Sequence, residues 1–235
     1  MKNRTRVRNL IRSLSKSGVC SRKQALGLVK GGKVAVNGRI VLDPGKNIME
    51  RDLISVDGEA VCVRKKRYIL LYKPVGYVTT RNDELGRPTV YEFLKDVKEW
   101  VFPVGRLDKD SEGLLIFTND TRFGDRLTDP KYRVPRTYKV TVKGVIEQDD
   151  ISRLGNGIEI GHGETAKPSK VVIISRDKTS TQLEITLVEG KNREIRRMFE
   201  CLKKPVLQLI RTRFGPYGIG STQPGKWREI SPHNT

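Results

Sequence analysis

GRLDKDSEGLLIFTND, residues 105–120, decides between two folds. Asp108, Asp110 and Glu112 stand at alternate positions ahead of Gly113. That is how an EF-hand calcium loop opens, and such a loop would require a helix on each side. Counted from Asp108, however, position twelve is Asn119, where the loop needs a bidentate glutamate to complete its oxygen shell. The flanks also read as strands: WVFPV precedes the stretch, and LLIF has the unbroken apolar character of a buried strand. A polar turn between strands fits better, bracketed by Gly105 and Gly113. The stretch therefore predicts strand-turn-strand, with Arg106 and Asp108 at its mouth, where side chains project from a rigid scaffold.

Working outward, YILLY at 68–72 starts an apolar strand that ends in Lys73-Pro74-Val75-Gly76-Tyr77. RTYKVTVKGV, KVVIIS and TQLEITLVEG read as further strands, and VYEFLKD and RFGDRL as short helices. In NREIRRMFECL the spacing of Ile195, Met198, Phe199 and Leu202 predicts a helix with one apolar stripe, flanked by Arg193, Arg196 and Arg197. Residues 68–232 are thus expected to form an α+β domain with many adjacent strands.

Upstream the character changes. The chain carries 46 Lys and Arg against 27 Asp and Glu, a formal net charge of +19, which calls for a polyanionic partner, with nucleic acid first. Residues 1–40 hold eleven of the basic residues and no acidic one, and residues 1–67 hold 17 basic against 5 acidic, a net of +12. Val7, Leu10, Ile11 and Leu14 keep helical spacing, with Gly18 as a stop. Ser21-Arg-Lys-Gln24 is a capping box for a second helix that runs through Ala25, Leu28 and Val29 to Gly31-Gly32. KVAVNGRIVL and DLISVDGEAV then read as hairpins about Asn37-Gly38 and Asp57-Gly58. Val63-Arg-Lys-Lys-Arg67 reads as a basic linker, so the expected division is a module at 5–62, a linker at 63–67 and a larger domain at 68–232.

Several chemistries are excluded. No apolar run is long enough to span a bilayer, and the first residues lack a secretory signal's apolar segment, so a soluble, cytoplasmic protein is expected. Cys20, Cys62 and Cys201 are odd in number and far apart, which suits core residues rather than a disulfide framework or a zinc ribbon. The only histidines are His162 and His233, so catalysis must lean on carboxylate, tyrosine, lysine or arginine.

SRKQA…GGKVAVNG, within residues 5–62, resembles the small RNA-binding module of ribosomal protein S-four. Gly105-Arg106-Leu107-Asp108 followed by GLLIFTND resembles the catalytic motif of ribosomal RNA pseudouridine synthases that carry this module. The other motifs follow in order: Lys73-Pro74-x-Gly76-Tyr77, Arg136-Thr-Tyr138, EGKNREIRRMF and VLQLIRTRFGPY. The resemblance implies a catalytic domain with a mixed, mostly antiparallel sheet flanked by helices, and chemistry that uses no metal and no organic cofactor. It implies Asp108 as the catalytic carboxylate, Tyr138 as stacking face and proton acceptor, and Arg196 as the partner holding Asp108 anionic. Lys73 and Leu209 would support the pocket. Ser21, Arg22, Lys23, Lys30, Lys33, Arg106, Lys191 and Arg193 would hold RNA. The implied partner is ribosomal RNA, or an assembly intermediate containing it, bound by a monomer; the wording of DKDSEGLL favours the large subunit. The competing reading is a non-catalytic RNA-binding or ribosome-assembly protein of the same fold, which broken motifs would mark. One departure is Thr121, where the family's TND is followed by glycine, and an altered loop is expected there.

Overall fold

The computed structural model describes residues 7–49, 51–61 and 65–232. The chain divides into two compact units, one comprising residues up to Tyr68 with Asp96–Phe102 and Thr118–Thr121, the other comprising Ile69–Lys95, Pro103–Phe117 and the chain from Arg122 onward.

In the first unit, helix α1 spans Leu10–Lys16 and helix α2 spans Arg22–Lys30. Asn9 caps α1 by accepting from the Arg12 N–H at 3.1 Å, so the helix begins at Leu10. Val7, expected in its apolar stripe, precedes it and is exposed. The Ser21 hydroxyl accepts from the Gln24 N–H at 3.1 Å while Gln24 Oε1 accepts from the Ser21 N–H at 2.9 Å, the expected capping box. Two hairpins follow, Val34–Val36 with Arg39–Ile40 and Ile54–Val56 with Glu59–Ala60. Their turns, Asn37-Gly38 at φ 51° and 79° and Asp57-Gly58 at φ 49° and 83°, have the paired left-handed geometry that matches strand twist. Leu10, Leu14, Ala25, Val29 and Val34 form the core.

Thr5, Arg6, Cys62, the linker's Val63 and Arg64, and His233 lie outside the described residues. The rest of the expected linker is pinned rather than loose. Asn119 Nδ2 donates to the Lys65 carbonyl at 3.0 Å, Asn119 Oδ1 accepts from the Arg67 N–H at 2.8 Å, and Lys66 pairs with Asp120 at 2.6 Å. Thr121 is the first residue of helix α3, Thr121–Thr128.

The second unit is built on a nine-stranded sheet. Its strands are β1 Tyr68–Lys73, β2 Phe102–Val104, β3 Glu112–Thr118, β4 Arg136–Lys143, β5 Lys170–Arg176, β6 Ser180–Leu187, β7 Val206–Phe214, β8 Tyr217–Gly218 and β9 Trp227–Glu229. The order is β5-β6-β4-β7-β3-β1-β9, with β8 on β7 and β2 on β3. β5-β6-β4-β7 is antiparallel throughout, whereas β7 and β3 run parallel. Strict alternation in β6 buries Thr181, Leu183, Ile185 and Leu187. Helix α4, Gln148–Asn156, and helix α5, Glu194–Cys201, supply Leu154, Ile195, Met198 and Phe199 to the same core.

VYEFLKD is helical as expected, in the form of a 3₁₀ helix over Val90–Leu94. One local expectation is corrected. Cys201 is exposed, its Sγ donating to the Glu159 carbonyl at 3.2 Å, while Cys20 is a core residue whose thiol burial pushes up. Among the described residues, no helix is long and apolar enough to cross a membrane.

Candidate active site

Between β2 and β3 the chain turns through Gly105, at φ 76°, into Arg106-Leu107-Asp108. This turn is fastened at almost every residue. Thr79 Oγ1 donates to the Leu107 carbonyl at 2.8 Å and accepts from its N–H at 3.3 Å. The Asp108 carbonyl accepts from the Ser111 N–H at 3.1 Å, and the Lys109 carbonyl from the Gly76 N–H at 2.9 Å. Beneath the turn lies Lys73, with none of its surface exposed. Its Nζ donates to the carbonyls of Ser111 at 2.6 Å, Pro74 at 2.9 Å and Lys109 at 3.3 Å. Burial pulls its pKa down to about 8, against the opposing pull of Asp108, Asp110 and Glu112. Lys73 is therefore a clamp on the turn and does not line the cavity above it.

Two of the three carboxylates that suggested a calcium loop have separate partners. Glu112 accepts from the Tyr72 hydroxyl at 3.2 Å and from Gln208 Nε2 at 2.8 Å, and Asp108 faces Arg193. Among the described residues no three His, Cys, Asp or Glu side chains are grouped to hold a metal ion. Gly113, expected at a turn, is the second residue of β3.

Asp108 opens into a cavity of about 360 Å³. Tyr138 enters from β4, Leu209 and Arg211 from β7, and Lys191, Asn192, Arg193 and Glu194 from the loop leading into α5. Strand pairing explains this convergence: Tyr138 lies opposite Arg211, and Arg211 lies two residues beyond Leu209, so both β7 side chains share a face. Arg193, in a left-handed conformation at φ 47°, brings Nη1 to 3.8 Å from Asp108 Oδ2. The mouth is open, with the Asp108 and Arg193 side chains 38% and 41% exposed. The floor is closed, with Leu209 at 7% and Arg211 at 2%.

Arg196 was expected to pair with Asp108, and it does not. Its Nη2 donates to the Asp110 carbonyl at 2.8 Å and its Nη1 to the Val206 carbonyl at 3.4 Å, its Nε is buried without an acceptor, and the residue lies outside the cavity lining. The neighbouring Arg193 takes the place beside the carboxylate. The cavity thus gathers Asp108, Tyr138, Arg106, Lys191, Arg193 and Leu209, whereas Ser21, Arg22, Lys23, Lys30 and Lys33 belong to the first unit. There Ser21 is occupied as a helix cap, Lys33 lies 3.6 Å from Asp57, and Arg22, Lys23 and Lys30 are exposed.

Three wall residues had no role in the sequence reading. Arg136 donates to the carbonyls of Glu189 and Leu127, each at 3.2 Å, and sits 4.8 Å from the Phe214 ring centre. Glu194 is buried, and burial together with the adjacent Glu189 carboxylate pushes its pKa up to about 7. Arg211 could have been found from Leu209, since residues two apart on a strand share a face.

A half-buried carboxylate beside an aromatic ring and above an apolar floor, inside a rim of cations, suits a planar base attached to a phosphate chain. Comparison with known proteins points the same way. Residues 67–201 match the family model described as RNA pseudouridylate synthase, and residues 3–54 match the S4 domain. The ribosomal large subunit pseudouridine synthase B of Bacillus subtilis (strain 168) is 37% identical over 229 residues, 97% of this chain and 93% of the relative. An uncharacterized RNA pseudouridine synthase of Aquifex aeolicus (strain VF5) is 41% identical over 221 residues, 93% of this chain and 88% of the relative. A crystal structure of a pseudouridylate synthase superposes with a TM-score of 0.66 at 28% identity, covering 94% of this chain and 95% of that one. With the synthase model spanning more than half of its length, this chain belongs to the RNA pseudouridylate synthases, enzymes that isomerise uridine within RNA, and it carries an S4 domain ahead of the catalytic segment.

Proposed function

We propose that this enzyme converts a uridine of ribosomal RNA, in the large subunit, to pseudouridine, with Asp108 as the attacking carboxylate. The observation that carries the reading is the placement of Asp108: on a turn fixed by Lys73 and Thr79, at the mouth of a cavity of about 360 Å³, and 3.8 Å from a guanidinium. The large-subunit assignment draws support from the name of the Bacillus subtilis relative. As a single chain carries every wall of the cavity, the enzyme acts as a monomer.

The target base must first leave its stack, at a cost of about a few kcal/mol that contacts in the pocket offset. Tyr138 offers a ring face, Leu209 an apolar floor, and Arg106, Lys191 and Arg193 stand where the sugar-phosphate chain enters. Arg193 stands beside Asp108, in the place first given to Arg196. Asp108 then adds to the base or to C1′ of the ribose, the N1–C1′ bond breaks, the uracil turns, C5 joins C1′, the bond to Asp108 breaks to restore its carboxylate, and N1 takes up a proton. The C5 proton leaves last, with the Tyr138 phenol placed to help. The exposed cations of the S4 domain, Arg22, Lys23 and Lys30, hold phosphates, alone or in an assembly intermediate.

Uracil gives up tritium at C5 when C5 bonds to C1′, so release from labelled ribosomal RNA, with pseudouridine identified in the product, tests the reading. Asp108→Asn should abolish release while RNA affinity stays within a few-fold, because a nucleophile is lost and no phosphate contact is. Near-normal turnover by this variant would remove Asp108 from the chemistry and favour a non-catalytic RNA-binding role for the motif.

A further inference from the structure

We infer that Arg211 is a further catalytic group, whose guanidinium holds the negative charge carried by uracil while it is detached from the ribose. This rests on the pseudouridine-forming reading of the Asp108 pocket.

Arg211 is 2% exposed, deeper than any other cation on the cavity wall. Its Nε donates to the Leu114 carbonyl at 2.7 Å and its Nη1 reaches the Arg106 carbonyl at 3.5 Å. Its Nη2 is buried and meets no acceptor, and among the described residues no carboxylate forms an ion pair with this guanidinium. A buried charge without a counter-charge is costly, and chains keep one where a ligand supplies the missing anion. The Phe214 ring, its centre 5.1 Å from the guanidinium carbon, gives a cation–π contact but no counter-charge, and a neutral amide could serve the two carbonyls without burying a charge, so hydrogen bonding to the backbone does not account for arginine here.

Depth identifies the anion. Phosphates stay on the RNA chain at the mouth, among Arg106, Lys191 and the 41% exposed Arg193. Only the base reaches the level of Leu209, which shares a strand face with Arg211, two residues on and opposite Tyr138. Whether Asp108 adds to base or sugar, the electron pair of the broken N1–C1′ bond stays with the uracil. The base then carries one negative charge, shared by its ring nitrogens and carbonyl oxygens, until C5 rejoins C1′; loss of the C5 proton and gain of one at N1 follow. A donor fixed in a dry site and aimed at that charge stabilises the transition state more than the bound uridine.

The test uses the full chain and a large-subunit ribosomal RNA transcript labelled with tritium at C5 of uracil. Arg211→Met should slow single-turnover release by about 10²–10³-fold, the loss typical of one missing oxyanion donor. RNA affinity should stay within about threefold with an unchanged salt slope, since no phosphate contact is removed. The melting temperature should hold or rise, because an uncompensated buried charge is gone. Arg211→Lys should recover at least about tenfold in rate over Met. Should the Met variant not fold, Arg211→Gln, which keeps a donor for the Leu114 carbonyl, carries the same expectation. A rate within threefold of wild type overturns the inference. So does a loss of affinity with a shallower salt slope, which would mark a phosphate contact, and so does a lowered melting temperature with Lys no faster than Met, which would mark a structural residue. Asp108→Asn in the same assay separates the two readings: if it stays active the catalytic assignment of the pocket fails, and if it is dead while Arg211→Met is fast, only this inference fails.

Discussion

Lys73 shows how one side chain can matter to a site it does not line. An ammonium has three protons, and Lys73 directs them at three carbonyls, two of them in the turn that carries Asp108. With a pKa pulled down to about 8, the amine loses one of those protons at mildly alkaline pH. The sign of the effect on stability is opposite to the effect on geometry. The folded pKa lies below the ordinary value of 10.5, so between about pH 8 and 10.5 the unfolded chain binds the extra proton and folding gains stability as pH rises. Tritium release should therefore decline above about pH 8 without a drop in melting temperature from this group. Lys73→Met should turn slowly at every pH and lack that alkaline limb, because the clamp is already absent; a limb that persists in the variant would assign it to another residue. That Asp108, Tyr138 and Leu209 meet in one cavity was legible because each lies in an ordered motif. Which arginine stands nearest Asp108 was not, because Arg193 and Arg196 are three apart in sequence and it is Arg193, left-handed at the helix cap, that lies beside the carboxylate.

At the scale of elements, the decisive contact is the parallel pairing of β3 with β7, which sets the Asp108 turn beside Leu209 and Arg211. Gly113 permits it. A Cβ there would lie 2.4 Å from the Arg211 carbonyl oxygen and 2.7 Å from its nitrogen, backbone atoms that cannot move aside, and the residue sits at φ 105°. Gly76, at φ 96°, has nothing within 4 Å of its imagined Cβ and serves as a control for the conformational cost alone. Gly76→Ala should cost about 1 kcal/mol and Gly113→Ala about 3 kcal/mol or more, with activity falling for the latter as β7 is displaced. Thermal unfolding of the two variants measures the difference, and equal losses would mean that the strands separate without penalty. The elements themselves were largely readable: alternation predicted β4 and β6, and the Asn-Gly and Asp-Gly pairs predicted both hairpins. What one sequence could not convey was the close approach at Gly113, since an isolated glycine after an acidic run looks the same in a turn and in a strand. For the same reason the first helix was drawn too early, as Val7 continues the apolar spacing that the Asn9 cap interrupts.

For the whole molecule the governing feature is charge asymmetry. Residues 1–67 carry +12 of the total +19, and their exposed cations include Arg22, Lys23 and Lys30. Composition alone made this legible; the sharing of Asp96–Phe102 and Thr118–Thr121 with the first compact unit was not, because it depends on Asn119 reaching Lys65 and Arg67 across more than fifty residues of sequence. A chain lacking residues 1–60 keeps Lys65 and Arg67, and keeps the core from Val140 to Leu209, so the synthase segment should still fold. It should melt a few degrees lower, since Asp96–Phe102 and Thr118–Thr121 lose the helices of their own unit, and about 1 kcal/mol corresponds to roughly 2–4 °C in a domain of this size. Its affinity for ribosomal RNA should fall and become less sensitive to salt. Each phosphate contact removed lowers the slope of log K against log salt by about 0.7–0.9, so loss of three contacts from the S4 domain would flatten it by about two units or more. Titrations at several salt concentrations, run beside tritium release at saturating RNA, separate the outcomes. Weakened, salt-insensitive binding with turnover intact places the electrostatic grip in the S4 domain, whereas an unchanged slope would place it on the synthase segment, among Arg106, Lys191 and Arg193.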